Sequence, residues 1–382
     1  KFLGKKFFDL GQRDLYDFMK FFTVSVGDFL DEFFDSDLIK AHKAGSAVVG
    51  TNLGPRSPGT AYVLLHHYMG DVDGAVGAWG FPRGGMGAIS GALAGALQEH
   101  GGEIRINAGV DKIMVKRGKV TGVRLENGEE ILADRVVSNV DAKKTFLGLM
   151  EPEDAGEKVI KAAKRYKSRG SSGKLNIALN GVPEFTALPK GSELIKGDFH
   201  IVDNMEAYER GYDEWKDGMW STNPYLDILI PTLTDPTMAP PGKHFMTCFV
   251  QYCPSKVKGQ DWNADLLKKF GDNVIDSIAK YSPNFKDLIE HVEIRSGQVI
   301  DNEIGLTEGN IFQGELSLNQ LMFNRPFHGC AQYRGPVNGL YLSGSTTHPG
   351  GGVMGAPGAN SAREILMDMK ISTTVPEDEG DD

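Results

Sequence analysis

The chain has 382 residues, of which 40% are hydrophobic and 24% are charged, which is enough for two domains with separate cores and excludes the disordered and fibrous classes. Its formal net charge of -10 at pH 7 argues against nucleic-acid binding, because phosphate contacts need clustered Lys and Arg. No run reaches the ~18–20 consecutive apolar residues of a membrane span. We therefore expect no transmembrane segment, while peripheral membrane contact stays open.

The first predicted element is one long amphipathic helix over residues 15–34, with Asp14 as its N-cap. Apolar residues recur there at helical spacing. Many of them are aromatic, which is typical of core packing. A face turned to an apolar substrate cavity or to a membrane is the alternative.

A glycine cluster, Gly84-Gly85-Met86-Gly87, leads into a second predicted helix that Gly101-Gly102 ends. Alternating apolar residues and turn residues then predict a series of short strands. These strands cover residues 104–106, 113–115, 120–125, 131–132 and 136–138.

Strand-like and helical stretches alternate from about residue 141 to residue 330, with proline-rich turns between them. This pattern predicts a separate α+β domain inserted between two parts of another domain. The strands are placed at 175–179, 226–230 and 244–252, and a helix at 267–278. The acidic segment 377–382 is predicted to be a solvated tail.

Two residue types that often carry chemistry give weak signals. Cys248, Cys253 and Cys330 form no Cys-x-x-Cys pair, so we interpret them as reduced packing residues of an intracellular protein. His66 and His67 would face opposite ways on a strand and could not bind one metal ion together. We expect no metal site.

The strongest local signal is a short apolar strand, Gly339–Leu342, followed by the glycine-rich segment His348–Gly355 and the small residues 356–362. A strand, a glycine-rich bend and a helix start together let backbone N–H groups and the positive helix end meet an electron-rich group. The segment therefore predicts a cofactor loop.

Gly350, Gly352 and Gly355 formally satisfy G-x-G-x-x-G, the dinucleotide fingerprint. That fingerprint opens a βαβ unit with an acidic residue at the end of its second strand. No such unit follows here. The helix start is therefore predicted to face another part of a cofactor.

Residues 341–362 resemble the C-terminal flavin motif of phytoene desaturase-like and amine oxidase-like FAD-dependent oxidoreductases, and residues 80–139 resemble the block that follows entry to their substrate domain. Tyr62–His67, Gly309–Phe312 and His348–Gly355 are similar to a mitochondrial member. The resemblance implies an α/β and α+β fold, in which an FAD-binding Rossmann-like domain, incomplete here, is interleaved with a mixed-sheet substrate domain.

The resemblance also implies where the domains lie. It assigns residues 1–79 to the substrate or cap domain, 80–142 to the FAD-binding domain, 143–330 to the substrate domain, 331–370 to the FAD-binding domain, and 371–382 to an acidic tail.

The cofactor-binding residues that the resemblance implies are Gly84, Gly85, Met86, Val110, Gly344, Gly352, Val353 and Met354. The first three would lie beside the isoalloxazine, and the valine would meet adenine through its backbone. Gly344 would lie near the pyrophosphate or ribityl chain. The last three would contact the flavin through their backbone, where the helix dipole would stabilise the reduced ring.

The family's N-terminal βαβ unit, which holds the ADP half of FAD, has no counterpart in these 382 residues. We expect either about 150–200 further residues that complete the FAD site or a chain that serves without flavin. Lys1 as the first residue favours the former. No catalytic base is identified. His348 lies in the cofactor loop, where a loop-ordering hydrogen bond is favoured over contact with substrate.

Two functions follow from the resemblance. The first is an FAD-dependent dehydrogenase or desaturase that takes hydride from an apolar small-molecule substrate. The second is a flavin-free, non-catalytic subunit or regulator of a mitochondrial assembly that keeps the fold. The resemblance to the mitochondrial member also implies a location in the mitochondrial matrix or on the matrix side of the inner membrane.

Overall fold

The computed structural model describes residue 9 and residues 11–372, so the predicted tail at 377–382 lies outside the described residues. Backbone contacts divide the chain into two compact units. The first comprises residues up to 104, 169–304 and 308–310, and the second comprises 105–168, 305–307 and the residues from 311 on. The domain boundaries proposed above are defined by function and stay predictions. The contact units differ from them in placing 80–104 in the first unit and 143–168, 305–307 and 311–330 in the second.

Twelve α-helices lie within the described residues. They are α1 (Gly11–Thr23), α2 (Val26–Asp31), α3 (Asp37–Val48), α4 (Thr60–Tyr68), α5 (Gly87–Glu99), α6 (Pro152–Ala155), α7 (Glu157–Arg165), α8 (Met205–Lys216), α9 (Ala264–Ala279), α10 (Phe285–Leu288), α11 (Gly297–Ile304) and α12 (Ala356–Asp368).

Twelve strands lie within the same residues. They are β1 (Asp71–Val72), β2 (Ala75–Val76), β3 (Val110–Lys116), β4 (Lys119–Leu125), β5 (Glu130–Leu132), β6 (Val136–Ser138), β7 (Ser172–Leu179), β8 (Phe199–Ile201), β9 (Tyr225–Leu229), β10 (His244–Gln251), β11 (Ile289–Arg295) and β12 (Leu340–Leu342).

The first unit is built on a five-stranded sheet in the order β11-β7-β10-β9-β8, with antiparallel pairing throughout. Alternate residues of each strand face opposite sides. Leu175 and Ile177 of β7 are buried in the main core with Phe270 and Val274 of α9. Lys174, in the same strand, lies on the opposite face of the sheet. That face carries polar and aromatic residues.

A helical cluster completes the first unit. Small residues of α3, Ala41, Ala44 and Ala47, are fully buried and pack in one core with Tyr208 of α8 and Tyr225 of β9. Because alanine side chains are short, α3 approaches the aromatic rings closely. This packing brings α3 to the β9 end of the sheet.

The second unit contains the antiparallel sheet β3-β4-β5 and a parallel pair, β6 and β12. In the parallel pair Leu340 lies opposite Val136 and Leu342 opposite Ser138. The core of this unit includes Ile113 and Phe146 together with Leu340. Antiparallel sheets and a parallel pair with helices occur together, so the predicted α/β and α+β class is confirmed.

Most predicted elements occur, including the β3–β4 hairpin and the helix after the glycine cluster. The single helix predicted over 15–34 is wrong. It is broken between α1 and α2, where the Ser25 hydroxyl accepts a hydrogen bond from the backbone N–H of Asp28 and donates one, 2.7 Å long, to the Asp28 carboxylate. Ser25 thus caps a new helix. Asp14 lies within the first turn of α1 and is not its N-cap.

The strand predicted at 104–106 is also wrong, because the residues between α5 and β3 form an irregular connection. Ile106 is 81% exposed. Asn107 follows it with a φ of +54°, a left-handed conformation that ends extended backbone. The apolar alternation therefore reflects no pairing. The three cysteines are free and buried, as predicted.

His66 and His67 lie in the last turn of α4 and not on a strand. The Nδ1 of His67 lies 2.9 Å from the carbonyl oxygen of Val63, and its ring stacks near Trp79. Burial lowers the pKa of His67 to about 4, against the Val63 hydrogen bond, which acts in the other direction. The imidazole is therefore neutral in the folded protein at pH 7.

We predict that His67 makes the protein sensitive to mild acid. Since the pKa of His67 is lower in the folded than in the unfolded chain, unfolding takes up a proton between pH 6.5 and 4, and stability falls as pH falls through that window. The loss should be about 1–3 kcal/mol. Denaturant unfolding from pH 7 to pH 4 should show a shallower decline for His67→Gln than for the unmodified chain. The exposed His100 supplies the control, His100→Gln. Equal pH slopes for the two variants would contradict the prediction.

Candidate functional site

The backbone just after β12 lies close to the backbone just after its parallel neighbour β6, and the gap between them has no room for a side chain. Gly344, just after β12, has a φ of +76°. A Cβ at this position would lie 2.7 Å from the carbonyl oxygen of Asn139, the residue after β6. Only glycine satisfies both the conformation and the space. The carboxyl ends of parallel strands are where α/β sheets bind ligands.

A glutamine holds these two strand ends together. The side chain of Gln313 donates to the carbonyl of Asn139 at 3.0 Å and accepts from the backbone N–H of Thr346 at 3.0 Å. The hydroxyl of Thr346 in turn accepts from the N–H of Ala142 at 3.2 Å. The backbone after each strand is therefore set by side-chain hydrogen bonds.

Arg325 lies at the centre of the same region and is completely buried. Its guanidinium donates hydrogen bonds only to backbone carbonyl oxygens. The bond to Phe312 is 2.6 Å long, and of the two bonds to Ser345 the shorter is 2.7 Å long. The accepting residues are Phe312, Gly314, Glu315, Gln320 and Ser345. One side chain thus satisfies the backbone acceptors of several loop segments that have no strand or helix partner.

The glycine-rich segment ends at the start of α12. Gly350, Gly352 and Gly355 have φ values of +112°, +143° and +66°, conformations that favour glycine. Gly355 is the N-cap and supplies no side-chain hydrogen bond. The first turn of α12 therefore points its N–H groups and its positive dipole end outward.

Three backbone donors before this helix have no protein acceptor. Within residues 11–372 no hydrogen bond is formed by the N–H of Gly352, Val353 or Met354. Val353 is 73% exposed and Met354 is 42% exposed. These N–H groups, at the positive end of a 13-residue helix, suit an electron-rich ligand atom such as a flavin carbonyl oxygen or ring nitrogen.

The other predicted glycine cluster lies in the first unit, before α5. Gly84 and Gly85 have φ values of +85° and +87°. The N–H of Gly84 donates to the carboxylate of Asp235 at 2.6 Å, and this bond lowers the pKa of Asp235. A Cβ at Gly85 would lie 3.1 Å from the methyl carbon of Met238. The cluster is thus held against the loop after β9.

A cavity of 780 Å³ lies beside this cluster, within the first unit. Its lining is largely apolar, with two cations and one carboxylate. It is lined by Phe81, Pro82, Arg83, Gly85, Met86, Lys174, Leu229, Pro231, Thr234, Asp235, Pro236, Thr237, Met238, Phe245 and Thr247. The size suits a ligand of drug size or larger.

Lys174 in this cavity was not identified from the sequence. Desolvation lowers its pKa, and the charge of Arg295 acts in the same direction. Arg295 lies directly opposite Lys174 in the neighbouring strand. The available signal was its place one residue before the strand predicted at 175–179, since period-2 alternation continued back to Lys174 puts it on the face opposite Leu175.

The eight predicted cofactor residues fall into two groups. Gly84, Gly85 and Met86 belong to the first unit, and the other five, which are Val110, Gly344, Gly352, Val353 and Met354, belong to the second. Val110 begins β3 opposite Leu125. The backbone carbonyl of His348 accepts a hydrogen bond from the hydroxyl of Tyr333 at 2.8 Å, and the role of its imidazole stays a prediction. The roles assigned to all eight residues stay predictions.

The family model described as flavin containing amine oxidoreductase matches residues 6–206. Pyridine nucleotide-disulfide oxidoreductase domain-containing protein 2 of Rattus norvegicus is 37% identical over 91% of this chain and 61% of its own length. Phytoene desaturase (lycopene-forming) of Pseudescherichia vulneris is 28% identical over 90% of this chain and 65% of its own. The chain thus spans about three fifths of the length of these curated relatives. The predicted resemblance is confirmed.

Two solved structures have the same fold. An oxidoreductase from Methanosarcina mazei has a TM-score of 0.53 and 16% identity, covering 90% of this chain and 68% of its own. Wild-type putrescine oxidase bound to putrescine has a TM-score of 0.52 and 14% identity, covering 92% and 69%. At these identities the likeness concerns the fold alone.

We predict that Arg325→Lys lowers the free energy of unfolding by about 3–5 kcal/mol, since an ammonium group on a single atom cannot reach the separate carbonyls that the guanidinium satisfies. Chemical denaturation measures the change. Arg363→Lys is the control because Arg363 is exposed on α12. Similar denaturation midpoints for the two variants would contradict the role given to Arg325.

Proposed function

Because the chain belongs to the flavin containing amine oxidoreductase family, we propose that it is part of an FAD-dependent dehydrogenase or desaturase that takes hydride from an apolar substrate. The observation that carries the proposal is the set of unused backbone donors at Gly352–Met354 before α12. A helix start without side-chain caps is suited to an electron-rich ring edge.

The residues of this chain have binding and positioning roles in the proposal. Bound FAD would supply the hydride-accepting chemistry. The N–H groups of Gly352, Val353 and Met354 would hold the pyrimidine edge of the ring, where reduction adds negative charge. The network around Gln313 and Arg325 would keep those N–H groups in place before the cofactor binds, so that little ordering accompanies binding.

The lining of the 780 Å³ cavity supports an apolar substrate. Aromatic, methionine and proline side chains form much of the wall, and Arg83 and Lys174 place positive charge there. The carboxylate of Asp235 is already occupied by the N–H of Gly84. A cationic amine would meet net repulsion here, whereas a hydrocarbon would not. Two of the relatives carry the names phytoene desaturase and prolycopene isomerase, and both names refer to polyenes.

The location and partners belong to the proposal as well. We place the protein in mitochondria, in the matrix or on its side of the inner membrane, with a mitochondrial complex as partner, on the sequence resemblance given above. Cell fractionation with an antibody against the chain tests the location. Among the described residues, no helix is both long and apolar enough to cross a membrane.

The proposed flavin contact predicts that Val353→Asp lowers flavin affinity about tenfold or more while stability is kept. A carboxylate near a helix start is favourable to the helix, yet it would compete for the N–H groups and repel the electron-rich ring. The measurement combines flavin absorbance and fluorescence of the purified protein with thermal unfolding.

Val353→Thr is the matched control, because it keeps the branched shape without a charge. Unchanged flavin content in Val353→Asp would remove the contact from the proposal. If the protein that carries the further residues expected to complete the FAD site is colourless as isolated and takes up no added FAD, the flavin-free subunit is favoured instead.

The cavity predicts substrate class. With FAD bound and oxygen removed, we expect phytoene dispersed in detergent to bleach the flavin absorbance and putrescine to leave it unchanged. Lys174→Met should widen acceptance toward cationic amines at equal flavin content, because it removes a positive charge from the wall. Lys174→Arg keeps that charge and is the control. Bleaching by putrescine in the unmodified protein would overturn the apolar substrate.

A further inference from the structure

A second cluster of ligand-type side chains lies on the sheet of the first unit, apart from the residues used above. Asp198 directly precedes the edge strand β8 and His200 lies inside it, two residues on, so both face the same side. Asp227 of β9 is the direct cross-strand partner of His200. Strand periodicity and register therefore bring one imidazole and two carboxylates together.

The distances within this cluster suit a small cation. The Nε2 of His200 lies 3.4 Å from Oδ2 of Asp198 and 3.8 Å from Oδ2 of Asp227. One ligand atom from each of the three residues lies within 4.8 Å of the other two. Bonds of about 2.0–2.1 Å in a tetrahedron require ligand atoms roughly 3.4 Å apart. A small inward shift of the carboxylates would therefore complete three corners of such a site.

The other ring nitrogen of His200, Nδ1, has a hydrogen-bond partner, as the second nitrogen of a metal-binding histidine usually does. Its Nδ1 lies 2.8 Å from Nδ1 of His42 on α3. When the His200 Nδ1–H donates to His42, the lone pair of Nε2 faces the two carboxylates. The ring of Tyr225, with its centroid 5.1 Å away, forms a wall beside the imidazole.

The three side chains of the cluster differ in their exposure to solvent. The side chain of His200 is 9% exposed, that of Asp227 is 22% exposed and that of Asp198 is 36% exposed. An ion could therefore enter from the Asp198 side and reach a largely enclosed imidazole. Within the described residues no other group of three or more His, Cys, Asp or Glu side chains meets the spacing for a metal ion.

We propose that Asp198, His200 and Asp227 bind a divalent transition-metal ion of the Zn²⁺ class, with water in the fourth position and His42 orienting the imidazole ligand. One nitrogen and two carboxylate oxygens are ligands that zinc accepts, and the imidazole disfavours Mg²⁺ and Ca²⁺, which prefer oxygen alone. The ion would tie the three-residue edge strand β8 to β9 and β8 to α3 through His42. This site is independent of the flavin proposal.

The test is titration of the purified, chelator-treated protein with Zn²⁺, followed by calorimetry and by thermal unfolding. The unmodified protein should bind one equivalent of Zn²⁺ and unfold at higher temperature with it. Mg²⁺ at the same concentration should do neither. His200→Ala and Asp227→Asn should abolish this binding. His42→Ala should weaken it about 10–100-fold, as loss of an outer-shell partner does.

The matched control is His291→Ala, since His291 is an exposed histidine of the same sheet, on β11 at the opposite edge. It should bind Zn²⁺ as the unmodified protein does. Co²⁺ in place of Zn²⁺ should give the intense visible bands of a tetrahedral site in the unmodified protein and lose them in Asp227→Asn, which keeps the shape of the side chain. Zn²⁺ binding that survives in His200→Ala, or its absence in the unmodified protein, would overturn the proposal.

Discussion

The backbone that leads to the start of α12 depends on the buried guanidinium of Arg325. Loops carry carbonyl groups that no strand or helix satisfies, and leaving them buried and unpaired would cost about 1–3 kcal/mol each. Arg325 collects several such carbonyls, including that of Ser345 just before the glycine-rich segment. A planar group with five donors is suited to this task. The fully buried charge of Arg325 therefore fixes the backbone at Ser345, from which the chain leads to Gly352–Met354.

The two faces of the five-stranded sheet carry different chemistry. One face packs into the main core with α9. The other face carries one residue from each of the five strands, and each of these residues is the cross-strand partner of the one on the neighbouring strand. They form a row of Arg295, Lys174, Phe249, Asp227 and His200. Neighbouring strands lie about 4.8 Å apart.

This row relates the two sites argued for the first unit. Lys174 reaches the 780 Å³ cavity, and Asp227 belongs to the proposed metal site. They are two strands apart, which corresponds to roughly 10 Å. The cavity and the metal site would therefore share one sheet face without sharing a ligand. A cation at Asp227 would add to the positive charge that Lys174 and Arg295 already place there.

Local patterns in the sequence determined a large part of the fold. Apolar alternation and turn residues predicted the β3–β4 hairpin and the strands β7, β9 and β10, because these signals act within a few residues. Glycines predicted the backbone at Gly84, Gly350, Gly352 and Gly355, whose positive φ values favour glycine. The resemblance carried by the glycine-rich segment also predicted the family.

The tertiary structure alone decided the rest, because the deciding contacts join residues far apart in the chain. Burial of Arg325 depends on loops that meet only after folding. The break at Ser25 is the exception, because it comes from a local cap that the long apolar pattern concealed. Asp198, His200 and Asp227, where the sequence predicted no metal site, come together only through the register of β8 with β9. Register is set by pairing and by which face is buried, and a single strand does not contain that information.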